Sequence, residues 1–151
     1  MTSDDMITIH EVHLESDPNR GKMVVLSESP GAARFFLMFV GDAEFAAIAK
    51  EKGLVDPKRP LTHELYLRIM DKLQLEFQRI EIYDMRQDTF YANVIFRANG
   101  EEHTIDSRPS DAVALALSRK IPILVREGLF RRKLTEEEIK EYEDLVKSVR
   151  F

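Results

Sequence analysis

A chain of 151 residues with 44% apolar side chains has the size of one domain and enough hydrophobic material for a core. It has no cysteine, which excludes disulfides, a thiol nucleophile, zinc–thiolate sites and iron–sulfur clusters. Its 22 Lys and Arg against 27 Asp and Glu give a net charge of −5, with a pI near 5.4, which disfavours indiscriminate binding to phosphate backbones. No apolar run approaches the roughly 18 residues of a membrane span. The first residues, Met1-Thr2-Ser3-Asp4-Asp5, are acidic and lack the apolar stretch of a secretion signal. The expectation is a soluble, cytoplasmic protein with no membrane partner.

Residues 7–14 alternate and read as a strand, closed by the turn cluster Asp17-Pro18-Asn19-Arg20-Gly21. Met23 to Leu26 is a short apolar strand, and Ser29-Pro30-Gly31 is the next turn. Phe35 to Val40 is almost wholly apolar and is expected to be buried on both faces. Ala43 to Lys52 reads as a helix, with Asp42 and Glu44 complementing the dipole at its start and Gly53 as its stop. Thr62 is expected as the N-cap of a second helix carrying Leu65, Ile69 and Leu73 at helical spacing.

Phe77 to Tyr83 and Thr89 to Arg97 are strands separated by a turn over Asp84 to Asp88. Asn99-Gly100 is a hairpin signal. Glu102 to Asp106 returns, and Pro109 opens a helix whose Ala112 to Leu117 must be nearly all buried. Ile123 to Val125 is a short strand. Thr135-Glu136-Glu137-Glu138 is a capping box for a last helix with Ile139, Tyr142 and Val146 inward.

Sliding the sequence so that Asp17 falls on Asp84 also sets Glu44 on Asp111 and Ile48 on Leu115. Few identities survive, so common descent is not shown. Each half nevertheless has three strands feeding a helix with a carboxylate in its first turn. The predicted fold is α+β: a mixed, largely antiparallel sheet built from two similar strand-strand-strand-helix halves, with a C-terminal helix. Residues 1–133 form the domain and residues 134–151 a helical extension packed on it.

Three stretches carry polar groups where strands turn into helices. Asp106-Ser107-Arg108-Pro109-Ser110-Asp111 precedes the buried helix. Its residues are suited to capping, with Asp106 and Arg108 bracing the turn. The same geometry favours a phosphate at the helix start, bound bidentately by Arg108, with Asp106 and Asp111 as oxygen ligands for Mg²⁺ or Mn²⁺. Glu44, after Gly41, is a dipole partner when alone. Beside Asp111 it would need a cation or a shared proton. His63, following Lys58-Arg59-Pro60-Leu61-Thr62, is the best placed of the four histidines for proton transfer, or else an exposed helix-start histidine. His10 and His13 make a poor metal pair, and His103 reads as a hairpin surface residue.

At these stretches the chain resembles the bifunctional nuclease (BFN) domain family. The matching pieces are Gly41 to Ala49, Arg59-Pro60-Leu61-Thr62-His63, Asp88-Thr89-Phe90-Tyr91-Ala92 and, most specifically, Asp106 to Leu117. The likeness runs from about residue 7 to about residue 128. Ser107 stands where the family usually has Ala, Phe45 where a small residue is usual, and residues 134–151 do not match the extra segment of some members. The resemblance implies a mixed α/β domain that cleaves both DNA and RNA. No His-Glu-x-x-His, P-loop or nucleophile elbow accompanies it. Glu44, His63, Asp106, Arg108 and Asp111 are carried over as motif positions.

Two functions follow as expectations. In the first, Glu44, Asp106 and Asp111 hold Mg²⁺ or Mn²⁺, Arg108 stabilises charge, and His63 moves the proton. Arg59, Arg108, Ser110, Arg131 and Arg132 then bind DNA or RNA. The last two belong to residues 119–133, which hold six cations against Glu127 alone, before an equally acidic run over 134–146. The alternative is a non-enzymatic ligand-binding or regulatory module. Either way a homo-oligomer is expected, with a dimer favoured.

Overall fold

In the computed structural model, residues 5–132 are described, together with Glu137, Lys140 and Asp144, which are helical and exposed. The expected inward face of the last helix, Ile139, Tyr142 and Val146, and its capping box at Thr135 lie outside the described residues. So does most of the proposed 134–151 extension.

A first meander of β2 (Glu11–Asp17), β3 (Gly21–Ser27) and β4 (Arg34–Val40) leads into α1 (Asp42–Glu51). After α2 (Thr62–Lys72), a second meander of β5 (Glu76–Arg86), β6 (Thr89–Ala98) and β7 (Glu101–Ser107) leads into α3 (Pro109–Arg119). The class and the two meander-plus-helix halves are as expected. The strands, however, lie in two sheets. One has the order β1-β8-β5-β6-β7, adding β1 (Met6–Thr8) and β8 (Ile123–Arg126), and the other β2-β3-β4-β9, adding β9 (Arg131–Arg132). Among the described residues, only the β5–β8 pairing is parallel.

The expected strand over 7–14 is divided between these sheets. The Ile9 N–H donates to the Ile123 carbonyl of one sheet (2.8 Å) and the His10 N–H to Ser27 of the other (3.0 Å). The β6–β7 hairpin turns on Asn99-Gly100, both at positive φ. The β5–β6 hairpin does so on Gln87-Asp88 (φ 49° and 62°), later than the sequence indicates, because β5 continues to Arg86.

The core lies around α3. Ala112, Val113, Ala114, Leu115 and Ala116 are all buried, and the three alanines let the helix lie close to the strands. Val24, Leu26, Phe36 and Met38 line the inner face of one sheet. Ile80, Ile82, Ala92 and Val125 line that of the other. Phe36 and Phe90 join the sheets edge to face, centroids 4.7 Å apart.

One expectation about burial is corrected. In β4 only Phe36 and Met38 are buried, and Phe39 is 60% exposed, because no element covers the outer face of this strand among the described residues. In α2 the row Leu65, Ile69 and Leu73 is exposed, while His63 and Leu67 turn inward. No helix among the described residues is long and apolar enough to cross a membrane.

Candidate functional site

Because each meander ends in a helix, and α1 packs beside α3, the two helix starts come together. α1 begins after Gly41 with Glu44 in its first turn. An added Cβ on Gly41 would collide with the Glu44 carboxylate, so the glycine leaves room for that side chain to fold back over the helix start. α3 begins after Arg108, with Pro109 at its first position, where a missing N–H costs nothing.

Arg108 is the hub. Its Nε donates to Asp111 Oδ2 (2.8 Å) and its Nη2 to Asp111 Oδ1 (3.1 Å), a bidentate pair. The same Nη2 lies 3.7 Å from Glu44 Oε2. These carboxylates, Asp111 first, hold the guanidinium proton more tightly than usual. The expected brace between Asp106 and Arg108 is therefore replaced by Arg108 to Asp111 and Glu44, since Asp111 sits one turn along the same helix face.

These groups edge a cavity of about 740 Å³ that Glu44, His63, Asp106, Arg108 and Asp111 all line. Its inner walls are apolar, with Tyr66 and Met70 from α2, Phe77 and Phe96 from the sheet, and Leu115 from α3. Burial, followed by the Asp111 charge, raises the pKa of the Tyr66 phenol.

Of the two settings expected for His63, the exposed helix-start histidine is not the one found. His63 is 6% exposed, away from solvent despite standing at a helix start. Its Nε2 lies 3.3 Å from Glu51 Oε1, and its Nδ1 is buried with no hydrogen-bond partner. If Nε2 carries the proton toward Glu51, Nδ1 keeps its lone pair. Around it, Lys50 Nζ bridges Glu51 (2.9 Å) and Glu64 (2.8 Å). Glu64 also accepts the Leu61 N–H (3.0 Å). Leu61, not Thr62, is thus the N-cap of α2, and Thr62 is its first helical residue. Glu51 escaped sequence reading because it meets His63 across two helices, and no spacing rule relates them.

The remaining expected binding residues are elsewhere. Arg59 is exposed in the α1–α2 linker and Ser110 is buried; neither lines the cavity. Arg131 and Arg132, on β9 of the other sheet, line a separate cavity with Arg34, Glu28 and Glu127. Among the described residues, no three His, Asp or Glu side chains group closely enough to hold a metal ion. The cation that Glu44 and Asp111 share here is Arg108.

Fold and site together define an α+β domain of paired meanders whose joined helix starts rim an apolar chamber. The chain belongs to the bifunctional nuclease domain family, which it matches over residues 24–138. It is also 38% identical over 112 residues to two uncharacterized proteins of Mycobacterium tuberculosis, MT1877 of strain CDC 1551 and Rv1829 of strain H37Rv. These matches cover 74% of this chain and 66% of each relative.

Proposed function

We propose that the chain hydrolyses phosphodiester bonds of DNA or RNA at the mouth of this cavity. The observation that supports the reading is the convergence of Glu44, His63, Asp106, Arg108 and Asp111, from three separate stretches, on one cavity. Family membership makes a nuclease-related function the natural chemistry for it.

Arg108 is 64% exposed at the side chain and can present N–H donors to a non-bridging phosphate oxygen. A phosphate competes with Asp111 for those donors, and the start of α3 adds positive potential. A water held near the phosphorus attacks it. Substrate entry must first uncover the buried His63 Nδ1, which then takes the water's proton as the new P–O bond forms and returns it to the oxygen whose bond to phosphorus breaks. Glu51 steadies the imidazolium in between. Arg108 stabilises the added negative charge. Glu44, Asp106 and Asp111 are oxygen donors of the kind Mg²⁺ or Mn²⁺ uses, but two of them are committed to Arg108 as placed, so no step above passes through an ion.

The test is cleavage of labelled single and duplex oligonucleotides by wild type, Arg108→Ala, His63→Gln and Asp111→Ala, with EDTA or added Mn²⁺. A loss of about 100-fold or more is expected in Arg108→Ala and in His63→Gln. Activity undiminished in every variant would assign it to a contaminant. A second reading, a ligand-binding module in an oligomer, draws on the exposed apolar row Leu65, Ile69 and Leu73. Light scattering that finds a dimer, with no cleavage, favours it.

A further inference from the structure

We infer that the apolar chamber behind Arg108 takes an unstacked base, so that this chain acts on single strands in preference to intact duplex. The inference rests on the phosphodiester reading and names its substrate class.

The first observation is the balance of charge. Among the described residues, Arg108 is the only Lys or Arg that lines the cavity, against the carboxylates of Glu44, Asp106 and Asp111. The whole chain is acidic at −5. The cationic pair Arg131 and Arg132 belongs to the other sheet and lines another cavity. A protein that grips a duplex needs many phosphate contacts, and this mouth offers one guanidinium.

The second observation is the chamber itself. About 740 Å³ lies behind that one phosphate contact, within the range of sites that enclose small organic ligands. Phe77 and Phe96 stand on its wall, rings tilted by 59° with centroids 6.3 Å apart, and Tyr66 comes from α2. Aromatic walls next to an anion contact suit a nucleotide, whose planar base is apolar on its faces and whose phosphate is charged. A base inside a duplex cannot enter such a chamber without leaving its stack. Affinity therefore comes mainly from the base and little from the backbone.

The experiment is fluorescence-anisotropy binding of the full chain to a ten-nucleotide strand with phosphorothioate linkages, which resist cleavage. It is compared with the same strand in a duplex, and with the strand carrying abasic sites. The single strand is expected to bind at least 10-fold tighter than the duplex, and the abasic strand at least 10-fold weaker. The log–log slope against salt should be shallow, about −1 to −2. Phe96→Leu and Phe77→Leu, which keep apolar bulk, should weaken the normal strand and leave the abasic one unchanged. Equal affinity for duplex, indifference to base removal, or a steep salt slope overturns the inference. Cleavage of an ordinary strand, followed in parallel, reports the phosphodiester reading separately, and it can stand when the base pocket falls. Binding of dodecyl phosphate without competition from the single strand overturns the inference in favour of an aliphatic amphiphile.

Discussion

Arg108, at the start of α3, reaches Glu44, at the start of α1, with Nη2 and Oε2 3.7 Å apart, while the same guanidinium holds Asp111 in a two-point pair. Two carboxylates brought together by packing are kept apart in energy by one cation. Exposed ion pairs of this kind add about 0–1 kcal/mol, so the trio is poor evidence of a purely structural role. Its arrangement is better suited to exchange, in which an incoming anion replaces Asp111 on the guanidinium.

Arg108→Ala should therefore leave the melting temperature within a few degrees of wild type while removing the anion contact. It should also expose Glu44 and Asp111 to each other without a counter-charge. Millimolar Mn²⁺ is expected to raise the melting temperature of this variant and to leave wild type unchanged, because a ligand bound only by the folded state stabilises it. Differential scanning fluorimetry with and without EDTA checks this. An equal shift in both proteins would show that Arg108 does not occupy the place of an ion.

Gly41 has φ −77°, a conformation alanine also adopts, so Gly41→Ala carries no backbone strain. The new methyl group would displace the Glu44 carboxylate. Stability should stay the same or rise by about 0.4–1 kcal/mol, through a less disordered unfolded chain. Strand cleavage should fall as Glu44 leaves Arg108. Urea melts and the cleavage assay, run on one preparation, separate the two effects.

The Leu61 N–H, and then Lys50, hold the Glu64 carboxyl below its ordinary pKa of 4.5. Its contribution to stability is therefore complete above pH 4.5 and drains away as the pH falls through the folded value. Glu64, and then Glu51, push Lys50 above its ordinary 10.5, so its share is complete below that pH and is lost as the pH rises through the folded value. The stability gap between wild type and Glu64→Gln should be flat through neutral pH and shrink as the pH falls below 4.5. Urea melts across that range measure it; a gap that widens in acid refutes the assignment.

Leu67 is 1% exposed and Leu65 58% exposed on the same helix. Leu67→Ala should cost roughly 2–5 kcal/mol by opening a cavity. Leu65→Ala should cost within about 0.5 kcal/mol. Chemical denaturation of both variants checks which side of α2 meets the core.

That contrast also marks what the sequence could reveal. Asn99-Gly100, Gly53 and the Ser-Arg-Pro-Ser-Asp run were readable because their geometry is local: a turn, a helix stop and a helix start are each decided by a few adjacent residues. The convergence of Glu44 with Asp111 followed from the likeness of the two halves. The facing of α2 was hidden, since Leu65, Ile69 and Leu73 have the spacing of a buried stripe, and only packing decides which stripe turns inward. Phe39 misled for a similar reason, because an apolar strand does not say whether both its faces are covered. The Glu51–His63 contact and the aromatic chamber were out of reach, being assembled from segments far apart in the chain.

The strand pairings at Ile9 and His10 have a mechanical consequence. One residue is stitched to Ile123 and the next to Ser27, so neighbouring links of one short segment grip opposite layers. Prying the layers apart must tear that seam before either loosens alone. The two halves are accordingly expected to melt together, as one calorimetric peak whose measured enthalpy equals the van't Hoff value.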